Sequence, residues 1–196
     1  MRADRQAASL RALRPPRAYA RDQVSPAPLV GRRLPSVSLE GDARGLQLAE
    51  LALVHGLVVY VYPGSERSPG GEDVPRMDAI MHRAFRAAAR TLLNSGFHVL
   101  GISSQAQKAQ RRAVICHRLE HQMLSDPSLL LARELGLPTF STGQGCWYER
   151  LVLVVTGGSI AWALFPVRAP VRAPAQALAW IRTHESEEIT GCSDAS

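Results

Sequence analysis

The stretch Leu57-Val58-Val59-Tyr60-Val61-Tyr62-Pro63-Gly64-Ser65-Glu66-Arg67-Ser68-Pro69-Gly70-Gly71 carries the strongest structural signal in this chain. Its first half is a run of β-branched and aromatic residues bounded by Gly56 and Pro63, which is typical of a strand covered on both faces. Such strands belong to parallel or mixed sheets that are flanked by helices. The second half is rich in glycine, proline and serine, and it predicts a loop that leads into a helix.

Outward from this stretch, the chain alternates predicted strands and helices. Upstream, residues 34–53 predict a short hairpin with a turn at Gly41-Asp42, followed by a helical turn. Downstream, the sequence predicts a helix over 74–94, a strand over 98–103 and a helix that is capped by Ser104 and extends to residue 119. It then predicts a strand at 123–124, a helix over 129–135, two strands over 149–156 and 159–165 that are joined by Gly157-Gly158, and a closing helix over 175–184. This order predicts an α/β fold.

The basic charge of the chain is concentrated at its N-terminus. The formal net charge is +6. Residues 1–33 hold eight arginines against Asp4 and Asp22, whereas basic and acidic side chains balance over residues 34–196. The arginine-rich segment contains prolines that disfavour a long amphipathic helix, and it lacks the apolar run of a secretory signal. We therefore expect a disordered basic tail over 1–30, a folded domain over 31–184 without a basic face for nucleic acid, and a flexible end over 185–196.

Hydrophobic residues make up 46% of the chain and charged residues 20%, which is typical of a globular protein. No apolar segment approaches the ~20 residues needed to cross a bilayer, so no membrane association is expected. The three cysteines, Cys116, Cys146 and Cys192, are sparse and have no Cys-x-x-Cys spacing, which favours a cytoplasmic location over a disulfide-stapled secreted domain. Cys116, His117 and His121 could indicate a metal site, but residue 116 is turned away from the helix face that the two histidines share, so no metal is expected.

The strand ending in Tyr62-Pro63 and its loop resemble the peroxiredoxins, especially the monomeric Q-type or bacterioferritin-comigratory branch. In that family, Tyr-Pro is followed by a Pro-x-x-x-Thr/Ser-x-x-Cys loop whose cysteine reduces peroxide. The segment Leu124-Ser125-Asp126-Pro127 is similar to the family's Leu-Leu-Ser-Asp-Pro stretch. The resemblance covers residues 30–184 and implies a thioredoxin-like fold in its peroxiredoxin variant, with a central mixed sheet flanked by helices and an N-terminal β-hairpin.

The nucleophile of that family is missing here. Aligning Ser68-Pro69-Gly70-Gly71 with the family's Thr-Pro-Gly-Cys places Gly71 at the cysteine position, and other gap placements put Ser65 or Gly70 there. Arg76 occupies the position of the resolving cysteine five residues further on. A serine hydroxyl is far less acidic than a thiol and does not form a sulfenic acid, so the two-thiol cycle of the family is not expected.

The remaining family positions imply an anion-binding pocket. Pro63 and Ser68 resemble the proline and the threonine or serine of the loop, and Arg150, just before a predicted strand, resembles the arginine that binds the peroxide oxygens. With the backbone N–H groups around Gly70 and Gly71, Arg150 would bind a small anionic or oxygen-rich substrate. Ser65 or Ser68 is then expected to be a hydrogen-bonding group and not a reductant.

The charged residues near this predicted pocket also have structural interpretations. Arg150 could form a salt bridge to Glu149 or to another nearby carboxylate. Glu72 and Asp73 could act as a general base, although helix capping is favoured. His82, two to three helical turns further on, is expected to be a structural histidine.

Three functions follow from these observations. The first is a divergent peroxiredoxin-like oxidoreductase that acts on a small oxygenated substrate by cofactor-free, non-covalent catalysis, with Arg150, Ser68, Glu72 and Ser65 as its catalytic group. The second is a thiol peroxidase that uses a relocated Cys146, in a flexible loop four residues before Arg150, with or without Cys116, which lies on the helix where some Q-type peroxiredoxins carry a resolving cysteine. The third is a non-catalytic binding protein of the same fold. No nucleotide, zinc or haem motif is present, so no cofactor is expected, and pairing as a homodimer is compatible with the resemblance.

Overall fold

A five-stranded mixed sheet forms the centre of the fold. The computed structural model describes residues 29–41, 46–64, 73–142 and 145–190. The strands are β1 (Ser38–Leu39), β2 (Leu46–Gln47), β3 (Gly56–Val61), β4 (Phe97–Ser103), β5 (Gln122–Ser125), β6 (Thr139–Thr142), β7 (Gly145–Tyr148), β8 (Leu151–Thr156) and β9 (Ser159–Leu164). The helices are α1 (Leu48–Val54), α2 (Asp73–Asn94), α3 (Gln107–His117), α4 (Leu130–Leu135) and α5 (Ala173–Thr190), with a 3₁₀ turn at Pro170–Arg172.

The strand order of the central sheet is β5-β4-β3-β8-β9. Strands β3, β4 and β5 are parallel, and β8 and β9 add antiparallel strands on the other side of β3. Because β3 has neighbours on both edges and layers on both faces, its residues from Leu57 through Tyr62 are completely buried. The predicted α/β fold with a mixed central sheet is therefore confirmed.

Each face of the sheet has its own apolar core, as the alternation of side chains along a strand requires. Leu57, Val59 and Val61 face a layer that includes α1 and α4. Val58, Tyr60 and Tyr62 face a layer built by α2 and α5. The last residues of β3 thus carry two tyrosines into the layer beneath α2.

The hairpins at both ends of the chain match the sequence prediction in outline. Strands β1 and β2 pair antiparallel, and residues 42–45 of the predicted turn lie outside the described residues. Gly157 and Gly158 connect β8 to β9 with φ values of 54° and 76°, which two consecutive glycines adopt without steric cost.

Two local predictions were wrong. Ser104 does not cap a helix, because α3 begins at Gln107 after an extended Ala106, and the Ser104 hydroxyl instead donates to the carbonyl of Pro63 at 3.5 Å. The segment around Cys146 is not a simple loop, because β6 and β7 form an antiparallel hairpin there with Ser141 opposite Cys146. Neither strand of this hairpin has the regular apolar and polar alternation that identifies a half-buried strand in a sequence.

The closing helix α5 is longer than predicted, since it begins at Ala173 and continues to Thr190. Its start follows directly on the 3₁₀ turn, where Pro170 stands at the first position and fits the backbone angles of a helical turn. Among the described helices, none combines the length and the apolar character that a bilayer span needs.

Candidate functional site

The segment that was predicted to form the pocket connects the end of β3 to the start of α2. Pro63 and Gly64 follow β3 and are buried. Five predicted site residues lie outside the described residues: Ser65, Ser68, Gly70, Gly71 and Glu72. Their roles stay predictions, and the site is built below from the described residues on either side of them.

Arg150 lies beside the first turns of α2. It directly precedes β8, whose residue Leu151 pairs with Val61 at the end of β3, and this pairing brings the guanidinium to the carboxyl end of the central strand. Its Nη2 donates to the carbonyl of Val74 at 2.9 Å, and its Nε donates to Oδ1 of Asp78 at 2.8 Å. The arginine predicted from the resemblance and the beginning of the long helix are therefore neighbours in the structure.

Asp78 is the carboxylate partner of Arg150, not Glu149. Nη2 of Arg150 lies 2.7 Å from the same Oδ1, and the arginine side chain is 17% exposed whereas Asp78 is 0% exposed. The other oxygen, Oδ2, accepts the backbone N–H of Gly64 at 3.2 Å. Burial raises the pKa of Asp78 from 3.8 to about 6, although Arg150 and the N–H of Gly64 act in the opposite direction. The pair links the end of β3, the start of α2 and the start of β8.

Asp78 was not among the site residues proposed from the sequence. A signal was present, because Asp78 is a charged residue next to the apolar positions of an amphipathic helix, close to Met81 and Phe85 on its buried side. Buried carboxylates are rare unless they are paired. The helical periodicity of the sequence alone did not identify the partner of Asp78, which lies 72 positions further along the chain.

The arrangement supplies donors for a small anion. Among the described residues, no hydrogen bond involves Nη1 of Arg150. The first backbone N–H groups of α2 have no carbonyl partners within the helix, and the helix dipole favours negative charge at this end. A guanidinium beside a helix start is a combination that binds carboxylate-like or peroxide-like oxygens.

Asp73 is the first residue of α2, and its predicted capping role stays a prediction because its side chain lies outside the described part of the structure. Arg76, at the position of the resolving cysteine, is exposed on α2. Cys146 is an exposed free thiol in β7, and Cys116 is an exposed free thiol near the end of α3. Cys192 lies outside the described residues.

A second polar cluster lies deeper under α2 and was not predicted. Nδ1 of His82 lies 3.0 Å from the Tyr60 hydroxyl, and Nε2 of His121 lies 2.8 Å from it. Burial lowers the pKa of His82 to about 3 and that of His121 to about 4. Within the described ranges, no group of three or more histidine, cysteine or acidic residues is arranged to hold a metal.

Comparisons with known proteins identify the fold. No protein-family model matches the sequence, and no curated protein matches it. Solved structures do match: peroxidoxin BcpB from Mycobacterium tuberculosis has 18% identity and a TM-score of 0.67, over 79% of this chain and 96% of that one. Reduced Prx3 from Vibrio vulnificus in complex with hydrogen peroxide has 18% identity and a TM-score of 0.64, over 80% and 97%. Peroxiredoxin Q from Xanthomonas campestris has 18% identity and a TM-score of 0.65, over 79% and 98%. The chain therefore has the fold of the Q-type, bacterioferritin-comigratory peroxiredoxins, a variant of the thioredoxin-like fold.

Proposed function

We propose that this peroxiredoxin-fold chain binds a small oxygenated anion or peroxide at the start of α2 and acts on it without covalent catalysis. The observation that carries the proposal is the Arg150–Asp78 pair at the end of β3. The Vibrio vulnificus protein of the same fold binds hydrogen peroxide, which supports a ligand of this size and chemistry.

Binding in this proposal depends on Arg150. Its contacts to Asp78 and Val74 hold the guanidinium in one orientation before a ligand arrives, so little side-chain entropy is lost on binding. Its low exposure of 17% means that a bound oxygen would interact with it in a medium that screens charge less than water does. Ser65, Ser68, Gly70, Gly71 and Glu72 remain proposed contacts from the neighbouring loop.

The chemistry that these groups supply is proton transfer and stabilisation of negative charge. Asp78, with a pKa of about 6, can exchange a proton near neutral pH, and Arg150 can stabilise an oxyanion. Guanidinium, carboxyl and amide groups do not accept electrons. An oxidoreductase reaction at this site therefore needs electrons from another group of the chain or from a second substrate.

A thiol peroxidase is the second candidate function, because Cys146 is exposed and stands four residues before Arg150. In this version Cys146, with or without Cys116, takes the oxidising equivalents of the peroxide. A non-catalytic binding protein is the third. A cytoplasmic location and a homodimer remain proposals that rest on the sparse cysteines and on the resemblance.

Binding is tested by titrating hydrogen peroxide, acetate and phosphate into the full chain and measuring affinity by calorimetry or NMR. We expect Arg150→Ala to weaken binding by about 10-fold or more, since a hydrogen bond to a charged group contributes roughly 1.5–3 kcal/mol. Arg150→Lys keeps the charge that Asp78 needs and should give an intermediate loss. Arg168→Ala removes an exposed arginine and is the matched control. Equal affinities for wild type and Arg150→Ala would refute the site.

Turnover is tested by peroxide consumption with thioredoxin or dithiothreitol as reductant, in wild type, Cys146→Ala and Arg150→Ala. The non-covalent proposal expects ligand binding that survives Cys146→Ala. Consumption that disappears in Cys146→Ala, together with dimedone labelling of Cys146 after peroxide, would establish the thiol peroxidase instead. If the chain binds these ligands but neither consumes peroxide nor converts an oxygenated ligand, the result would support the third function, a non-catalytic binding protein.

A further inference from the structure

The Tyr60 hydroxyl is surrounded by the buried side chains of His82 and Met123 and the partly buried side chain of His121, which are separate from the Arg150 site. It lies 3.0 Å from Nδ1 of His82, 2.8 Å from Nε2 of His121 and 3.1 Å from Sδ of Met123. Tyr60 is completely buried, and burial is the main reason why its pKa lies well above 10. At neutral pH the group is thus a neutral phenol, held against two neutral imidazoles.

The phenol proton can be assigned from this geometry. A phenol donates one proton, so only one of the three neighbours can accept it. A thioether sulfur is a weak acceptor, and the contact to Nε2 of His121 is the shortest of the three. We therefore assign an O–H···N hydrogen bond from Tyr60 to His121, with Nδ1–H of His82 donating to the phenol oxygen.

In each of the two histidines, the ring nitrogen that does not contact Tyr60 has an unusual environment. Nε2 of His82 and Nδ1 of His121 are buried, and neither has a hydrogen-bond partner among the residues that the structure describes. Buried polar groups in native proteins almost always have partners, and an unpaired one requires a physical explanation. The two histidines therefore cost stability in this position, which is difficult to explain if their only role is to fill the core.

Aromatic rings connect Tyr60 to the surface. Its ring stacks on Phe85 with centroids 4.4 Å apart and planes 7° apart. The His82 ring lies 5.1 Å from the ring of His117, which is partly exposed at the end of α3. His121 also lines a partly open cavity of about 700 Å³ beside the last turns of α2.

We propose that Tyr60 is a reversible one-electron redox site, with His121 as the base that holds its proton. In the forward step an electron leaves the phenol for a radical oxidant of the peroxyl or alkoxyl class at the protein surface. The phenol proton moves along the O–H···N bond to Nε2 of His121, leaving a neutral phenoxyl radical and an imidazolium. The oxidant gains this electron together with a proton from water and becomes a hydroperoxide or an alcohol. The hydroxide left behind is neutralised by the proton that the reductant releases in the restoring step.

The site is restored by the reverse step. A one-electron reductant of the thiol or ascorbate class supplies an electron, and the proton returns from His121 to the phenoxyl oxygen. No bond to carbon forms or breaks, and the net reaction is transfer of one electron and one proton from reductant to oxidant. The low pKa of His121, about 4, leaves its nitrogen free to accept the proton at neutral pH.

The test is electron paramagnetic resonance of the full chain frozen after oxidation with hexachloroiridate(IV). The chain has four tyrosines, and all samples carry Tyr19→Phe so that only Tyr60, Tyr62 and Tyr148 remain. We expect a neutral tyrosyl signal that is lost in Tyr60→Phe and retained in Tyr62→Phe. Tyr62 is the matched control because it lies two residues after Tyr60 in the same buried segment. Its hydroxyl donates to the side-chain amide oxygen of Gln110, and an amide oxygen does not act as a base.

A second variant keeps the test valid if Tyr60→Phe is unstable. His121→Gln retains a polar group of similar size but lacks a basic nitrogen, so the radical yield should fall although Tyr60 is present. Proton–electron double resonance in D₂O should also detect an exchangeable proton at the phenoxyl oxygen of the wild type. The proposal is overturned by a tyrosyl signal that persists unchanged in Tyr60→Phe, by equal yields in wild type and His121→Gln, or by no tyrosyl signal in the wild type.

Discussion

The protonation states of individual residues under α2 depend on their surroundings more than on the residue type. Asp78 and His82 stand one helical turn apart, and both are buried. Asp78 has an arginine and a backbone N–H as partners, whereas His82 has one bonded nitrogen and one that lacks a partner within the described ranges. Burial shifts both groups toward their neutral forms, raising the pKa of the acid and lowering the pKa of the base.

These opposite shifts predict how stability depends on pH. His82 and His121 have folded-state pKa values of about 3 and about 4, below the ordinary 6.5. The unfolded chain therefore binds protons at these residues from pH 6.5 downward, while the folded chain does not, and acidification favours unfolding until the folded values are reached. Asp78 acts in the opposite sense below pH 6, because its raised pKa lets the folded chain bind a proton first.

The destabilising effect of the two histidines on acidification is larger than the opposite effect of Asp78. The free energy of unfolding should therefore fall by about 3 kcal/mol between pH 6.5 and pH 4. Urea unfolding at a series of pH values measures this change. His82→Gln and His121→Gln should each make the curve flatter. A stability that is constant across this range in the wild type would show that the two imidazoles are not held neutral by the fold.

At the scale of elements, α4 is a helix whose start depends on one carboxylate. Oδ1 of Asp126 accepts the N–H of Leu130 at 2.8 Å, and Oδ2 accepts the N–H of Leu131 at 3.0 Å. The Tyr148 hydroxyl donates to the same Oδ2 at 2.5 Å. The cap therefore joins the end of β5, the start of α4 and strand β7.

Removing this cap should be costly for so short a helix. Asp126→Ala is expected to lower the free energy of unfolding by about 3 kcal/mol, since the two N–H groups lose their acceptor and the buried tyrosine hydroxyl, which also accepts the N–H of Ala132, loses the group to which it donates. Tyr148→Phe should cost about 1 kcal/mol because the cap remains. Ser128→Ala, at an exposed position in the same connection, is the control and should change stability by less than about 0.5 kcal/mol. Similar effects of all three substitutions in chemical denaturation would contradict the capping role.

Elements were predictable from the sequence where they are long and strongly patterned. The helix predicted over 74–94 is observed as Asp73–Asn94, and the strand predicted over 98–103 as Phe97–Ser103. The hairpin of β6 and β7 was missed because neither strand alternates regularly between apolar and polar residues, and Ser104 was assigned to a cap that the extended Ala106 excludes. Short segments take their conformation from their neighbours, which a local pattern does not contain.

At the scale of the whole molecule, the central sheet separates two cores, and its strands contribute side chains to both of them. Leu153 of β8 lies in the core with α1 and α4, and Ile181 of α5 lies in the core beneath α2. Both side chains are buried. Because the sheet lies between them, the cavities left by their truncation should relax independently.

Leu153→Ala and Ile181→Ala should each cost about 2–5 kcal/mol. Their effects should add within about 0.5 kcal/mol in the double variant, measured by urea unfolding. Leu153→Ala combined with Val59→Ala is the matched comparison, because these residues are directly paired on neighbouring strands in the same core. The losses of unfolding free energy caused by Leu153→Ala and Val59→Ala should not be additive in this double variant. Strong coupling between positions 153 and 181 would mean that the two faces do not pack independently.

The residues alone were sufficient for the order of the strands of the central sheet and of the helices, and for the peroxiredoxin resemblance, because periodicity, turn chemistry and residue identity are local properties. The role of the loop residues from Ser65 to Glu72 stays a prediction. Only the tertiary structure could show that Arg150 pairs with Asp78, or that Tyr60 meets His121, 61 positions away. Such contacts arise where the sheet and α2 pack together, and their burial, which determines the pKa values, depends on the three-dimensional surroundings and not on neighbours in the chain.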